Sequence, residues 1–148
     1  MNGMQQHYSR PLLFLALTVF LFNSRFLYGQ VSTELAPQIE WPGFNEAFAS
    51  AKDSKKIVLI DVWSSTCGWC KKQQTEVYTQ PDLQKFLFDK FEIGRLNLDI
   101  TDDTLSFRGY TLSSQMLAGG LGATGTPTTV FMEADGAYIT RLQGFHAF

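Results

Sequence analysis

Cysteine is nearly absent from this chain. Its 148 residues hold two, Cys67 and Cys70. A pair with only two residues between its members closes too short a loop to staple a fold, so it points to chemistry rather than cross-linking. Histidine is as scarce, with His7 and His146 alone. A structural zinc site takes four ligands, and His7 lies in a segment expected to be cleaved, so no metal is expected. A c-type haem site needs histidine directly after the second cysteine, where Lys71 stands. Basic excess is missing too: 12 Lys and Arg face 14 Asp and Glu, a net charge of −2. That leaves no electrostatic footprint for nucleic acid. There is no internal repeat and no low-complexity tract. The length fits one domain with a core large enough to fold alone.

Long apolar runs are lacking as well, with one short exception. Leu12 to Phe22, broken only by Thr18, follows Arg10. At about 11 residues it fits the apolar stretch of a signal peptide and falls short of the ~20 that span a bilayer. Gly29 is a small residue suited to the position before a cleavage site. Residues 1–30 are therefore expected to be a signal peptide, sending the chain to a bacterial periplasm or outside the cell. The alternative is an uncleaved N-terminal anchor that uses Phe26 to Tyr28 to lengthen the span. No cysteine lies near the segment, which excludes a lipoprotein anchor. Its removal takes Arg10 and Arg25 and no acid, leaving a net charge of about −4.

Residues 31–40 are polar with a proline and read as a linker, with Ile39-Glu40-Trp41 a candidate edge strand. From Trp41 onward the chain reads as one α/β domain. Phe44, Ala47, Phe48 and Ala51 recur at helical spacing, which predicts a helix from Phe44 to Lys52. Ile57 to Trp63 is apolar on both faces, as a buried central strand should be, and Asp61 interrupts it. An ionised carboxylate there is costly unless paired or put to use. A helix is expected from Cys67 to Tyr78, and another from Pro81 with Leu83, Phe86 and Leu87 facing inward. Phe91 to Ile100 reads as a strand with Ile93, Leu96 and Leu98 in the core. A small hairpin is expected around Arg108-Gly109, then a helix from Leu112 to Leu121 with Leu112, Met116 and Leu117 inward. Thr128 to Met132 and Ala137 to Leu142 read as strands joined at Asp135-Gly136. This order predicts a mixed sheet. Gly120 to Gly125 matches G-x-G-x-x-G but follows a helix and leads to a strand, the reverse of a dinucleotide site.

The stretch that organises the rest is Cys67-Gly68-Trp69-Cys70. A strand, a short turn and a helix put Cys67 at a helix N-terminus, where free N–H groups and the helix dipole favour a thiolate. Cys70, one turn on, is placed to attack a mixed disulfide. Trp69 is expected at the rim where substrate docks and Trp63 in packing. Arg95 reads as a partly buried charge near Asp61 or as a solvated strand end.

These residues resemble the thioredoxin superfamily from Trp41 to Gly144. The resemblance rests on Asp61 and Trp63 before the motif, the Cys67–Cys70 pair with Lys71 after it, Arg95-Leu96-Asn97-Leu98-Asp99, Thr126-Pro127-Thr128, and Gly144. The Trp41…Ala47-Phe48…Lys56 lead-in, the Gly68-Trp69 pair and the block from Leu121 to Thr128 are similar to exported bacterial disulfide reductases, and the segment from Leu105 to Leu117 resembles the SoxW type among them. Those include the SoxW-type periplasmic thioredoxins and the C-terminal domain of the membrane protein DsbD. Thr66 and Trp69 depart from thioredoxin, which has tryptophan and proline there, and the family's final helix is missing after Gly144.

The resemblance implies a thioredoxin-like fold: a mixed central sheet flanked by helices, spanning 41–148. It implies a protein-disulfide reductase with no cofactor beyond its Cys67–Cys70 disulfide. Cys67 and Cys70 would be catalytic and Asp61 would accept the proton of Cys70. Gly68, Trp69, Thr126 and a cis Pro127 would meet the substrate. Protein disulfides are the expected substrates, a DsbD-type membrane thiol donor the electron source, and a monomer the expected state. Two alternatives stay open: an oxidase or isomerase of the same fold, and a copper- or partner-binding module.

Overall fold

A computed structural model describes residues 36–147. The expected leader and residues 31–35 of the linker lie outside the described residues. Helix α1 spans Phe44–Ser54. It buries Phe44, Ala47 and Ala51 along one face, as the spacing predicts. The Glu46 carboxylate accepts a bond from the Gly43 N–H at 2.8 Å and closes its first turn. Lys55 ends it in the left-handed conformation, φ 59°, with its N–H on Ala51 O.

Strand β1, Ile57–Trp63, is buried at its five inner positions on both faces. After the cysteine turn come α2, Gly68–Lys72, a π-helical turn over Gln73–Val77, and α3, Pro81–Lys90. Pro81 opens α3, where its missing N–H costs nothing. Strand β2, Phe91–Asn97, lies parallel to β1 in register from Ile57 against Phe91 to Trp63 against Asn97. Gly94 is required here. A Cβ on it would stand 2.7 Å from the Ala47 Cβ and 2.9 Å from Ile60, so its absence lets α1 lie on the strand.

A separate hairpin follows, β3 (Leu105–Phe107) and β4 (Tyr110–Leu112). Its turn is Arg108 and Gly109, where the hairpin was expected, and both have positive φ (50° and 84°). Helix α4, Ser114–Gly120, is capped by the Ser113 hydroxyl, which accepts from Met116 N at 3.2 Å. Strands β5 (Thr128–Met132) and β6 (Tyr138–Gln143) complete the main sheet in the order β2-β1-β5-β6. The β1–β5 and β5–β6 pairs are antiparallel, so the sheet is mixed.

Two cores occupy the two faces of that sheet. One gathers Phe44, Ile60, Val62, Leu96, Leu117, Val130 and Met132. The other gathers Ile39, Leu59, Tyr78, Leu87 and Ile93. All six residues of β6 are exposed, and no helix follows it among the described residues.

Several elements differ from the sequence reading. Ile39 to Trp41 is not a strand. The chain runs irregularly past β2, with Ile39 buried and one bridge from Gly43 to Arg95. The α2 helix begins after Cys67 and turns π-helical at Gln73. Phe86 is half exposed, its ring edge-on to Phe91 at 5.7 Å rather than in the core. Met116 faces outward and Leu112 belongs to β4, because α4 is shorter than its pattern suggested. Strand β2 stops at Asn97, where Asp99 turns back to the cysteine loop.

Candidate active site

β1 delivers the chain to a turn, Ser64-Ser65-Thr66, that Asp99 holds from the end of β2. Asp99 Oδ1 accepts from the Ser64 hydroxyl and Oδ2 from Ser65 N, each at 2.6 Å. These bonds pull the Asp99 carboxyl below its usual range. Cys67 follows as the N-cap of α2, in extended conformation, with its N–H on Ser64 O at 3.2 Å. Its sulfur accepts from Cys70 N at 3.0 Å. A sulfur held against the open N–H groups of a helix start is stabilised as a thiolate when reduced. Cys67 is half-buried and Cys70 is 6% exposed, so an attacking group reaches Cys67 first. The two are joined as a disulfide with their Cα atoms 5.3 Å apart.

Behind the pair, Asp61 is 2% exposed on β1. Arg95, its neighbour on β2, donates to Asp61 Oδ2 from Nε at 3.0 Å and from Nη2 at 2.8 Å. Arg95 is itself gripped. Its guanidinium lies over the rings of Trp41 and Trp63, 4.7 and 4.6 Å from their centroids, and donates to Gln74 Oε1 at 2.6 Å. Tyr78 donates to Asp61 Oδ1 at 3.2 Å. Burial pushes the Asp61 carboxyl up, while Arg95 and Tyr78 oppose that rise. Trp63, Cys70, Lys71, Gln74 and Arg95 line a cavity of about 160 Å³ that joins this network to the buried cysteine.

The rim comes from three places. Trp69, between the cysteines, is 59% exposed and lies 5.5 Å from the Phe145 ring. Lys72 Nζ sits 5.4 and 5.2 Å from those two ring centroids. The Thr126–Pro127 peptide is cis. Pro127 precedes Thr128, which pairs with Val62 at the end of β1, so the ladder brings this loop beside the cysteine turn. Gly144 N donates to Pro127 O at 2.8 Å and ties the end of β6 to the same loop.

A family model described as a thioredoxin-like domain matches residues 44–148. The chain belongs to the thioredoxin-like family. The disulfide bond reductase DsbH of Chlamydia pneumoniae is 25% identical over 108 residues, 72% of this chain and 64% of DsbH. An uncharacterised protein of Caenorhabditis elegans is 30% identical over 99 residues, 66% of this chain and 13% of that protein. The chain thus spans under two thirds of the length of both curated relatives. Among solved structures, a thioredoxin from Thermus thermophilus has a TM-score of 0.59 at 25% identity, covering 75% of this chain and 79% of its own. The C-terminal domain of DsbD from Neisseria meningitidis has a TM-score of 0.54 at 18% identity, covering 70% and 81%.

In this thioredoxin-like chain Cys67, Cys70, Trp69 and the Thr126–Pro127 loop cluster at one end of the sheet, with Asp61 beneath. Of the two readings of Arg95, the buried pair with Asp61 is the one found. Gly68 is exposed, and a Cβ on it would meet nothing within 4 Å, so it contributes open backbone rather than a tight fit. His146 lies at the surface, its Nε2 3.1 Å from Gln143 O. Sequence reasoning missed Tyr78, Gln73 and Gln74 around Asp61, the stack of Trp41 on Arg95, and Phe145 and Lys72 beside Trp69. One signal was available: Tyr78 puts a hydroxyl at a core position that needs only a ring. The stacks join residues far apart in the chain and left no local mark.

Proposed function

We propose that this chain is a thiol–disulfide oxidoreductase that reduces protein disulfides in an exported compartment. The observation that carries this reading is the half-buried Cys67 sulfur at a helix N-terminus, bonded to a Cys70 that lies buried behind it. The reduced pair starts the cycle. Cys67, as thiolate, attacks one sulfur of a substrate disulfide. That S–S bond breaks, and the other substrate sulfur leaves and takes up a proton. Asp61 then accepts the proton of Cys70. The Cys70 thiolate attacks Cys67, expels the second substrate sulfur as a thiolate that takes up a proton, and closes Cys67–Cys70. Two electrons pass from the pair to the substrate.

Thr126, beside the cis Pro127, offers backbone for an extended substrate segment to pair with, and Trp69 and Gly68 form the rim it crosses. The similarity to a disulfide bond reductase supports the reducing direction. The apolar run at Leu12 to Phe22 supports export. A membrane thiol donor of the DsbD type would return electrons in an oxidising compartment.

The reduction potential tests the direction. Equilibration with glutathione should give a value near that of thioredoxin, roughly −270 mV; a value of about −120 to −180 mV would make the chain an oxidase or isomerase instead.

A further inference from the structure

The buried network around Asp61 holds one group that the exchange chemistry has not used. Tyr78 follows the π-helical turn and is 5% exposed. Its hydroxyl accepts from Gln73 Nε2 at 2.8 Å and donates to Asp61 Oδ1 at 3.2 Å. Thr129, the ladder partner of Asp61 on β5, is a polar side chain beside the same hydroxyl. Because Gln73 occupies the hydroxyl oxygen as a donor, the Tyr78 proton is directed to Asp61. The two carboxylate oxygens are therefore unequal. Oδ2 takes both Arg95 bonds, and Oδ1 takes only the phenol.

We infer that Tyr78 is a positioning residue for this carboxylate: its hydroxyl, held by Gln73, fixes Asp61 through Oδ1 and keeps it ready to receive a proton. The inference rests on the proton-accepting role proposed for Asp61. The π-helical turn supplies the geometry. It carries Gln73 to Tyr78 on one side of Asp61 and Gln74 to Arg95 on the other. The charged and titratable groups around Asp61 are Arg95 on β2, Tyr78 after the turn, and Cys70 and Lys71 on α2, which line the adjoining cavity with Arg95. Burial raises the carboxyl against the pull of Arg95 and Tyr78, so removing the phenol removes part of that pull. The Tyr78 ring is held independently, edge-on to Trp41 at 4.8 Å, so phenylalanine keeps the packing and loses only the hydroxyl.

The test follows the resolving step in the reduced full-length chain. The protein is mixed with glutathione disulfide and quenched in acid at intervals. Mass spectrometry then reports decay of the Cys67–glutathione mixed disulfide against pH. Tyr78→Phe should move the acid limb of that profile to higher pH by about half a unit to one unit, a three- to tenfold slower decay on the limb, with the plateau unchanged. Asp61→Asn should abolish the limb, and Tyr78→Phe added to it should change nothing further. Gln73→Met, which frees the phenol, should shift the limb the same way by less, and it carries the test if Tyr78→Phe fails to fold. An unmoved limb in the folded Tyr78 or Gln73 variant, with the limb lost in Asp61→Asn, overturns the role of Tyr78 and leaves that of Asp61 standing. A limb retained in Asp61→Asn overturns the Asp61 reading and this inference with it.

Discussion

The two cysteines differ in burial, and the roles proposed for them follow that difference. Cys67 is reachable and Cys70 is 6% exposed. Cys67→Ser should abolish disulfide reduction. Cys70→Ser should stall at a mixed disulfide on Cys67, visible as a mass increase that dithiothreitol reverses. Asp61 makes a second prediction at this scale. Burial raises its folded pKa above the usual value. The folded state then holds the proton more tightly than the unfolded chain does. Stability contributed by this group is therefore present at low pH and declines as pH rises from about 4 through the raised folded value. The slope has a ceiling of about 1.4 kcal/mol per pH unit within that window. Urea midpoints measured from pH 4 to 8 should fall more steeply with pH in the wild type than in Asp61→Asn. Parallel curves would show that Asp61 ionises as freely in the fold as outside it.

Elements carry these residues to one place, and two contacts decide how firmly. Asp99 ties the end of β2 to Ser64 and Ser65, so it holds the turn that presents Cys67. Asp99→Ala should slow the first attack on substrate severalfold while far-ultraviolet circular dichroism stays unchanged; an unaltered rate would mean that the turn holds its shape without the carboxylate. Gly94 is the contact between α1 and β2. Gly94→Ala puts a methyl group 2.7 Å from Ala47, which requires the helix to shift. The cost should be about 1–3 kcal/mol, read as a lower urea midpoint. Much of the element order was legible. The apolar run of β1, the Arg108-Gly109 turn and the Asp135-Gly136 turn all stand where patterning places them. The π-helical turn was not legible. It widens the helix so that consecutive glutamines each reach an ion-pair network built from β1 and β2, and that network does not exist until the strands have paired.

Across the whole domain, stability rests on two apolar layers against one sheet. Phe44 is 2% exposed and touches Phe48 and Phe107, with ring centroids 4.9 and 5.4 Å away. Phe44→Ala should cost about 3–5 kcal/mol, seen as a shift in the urea midpoint without loss of the Cys67–Cys70 disulfide.

The sequence by itself located the cysteine pair and pointed to redox chemistry. Two cysteines at C-x-x-C spacing, between a strand run and a helical stretch, admit few other uses, and local patterning suffices to place them. It also marked Asp61 as anomalous, because a charge in an apolar strand breaks its pattern. Only the tertiary structure decided what surrounds that charge. Arg95 stands 34 residues from Asp61 and Tyr78 stands 17 away. Trp41 and Trp63 both stack on the Arg95 guanidinium. Such contacts follow from strand register and from the packing of one layer on another, and neither leaves a periodic trace in the chain. The same reason hid Phe145 beside Trp69, since β6 must return to the cysteine end before the two rings can meet.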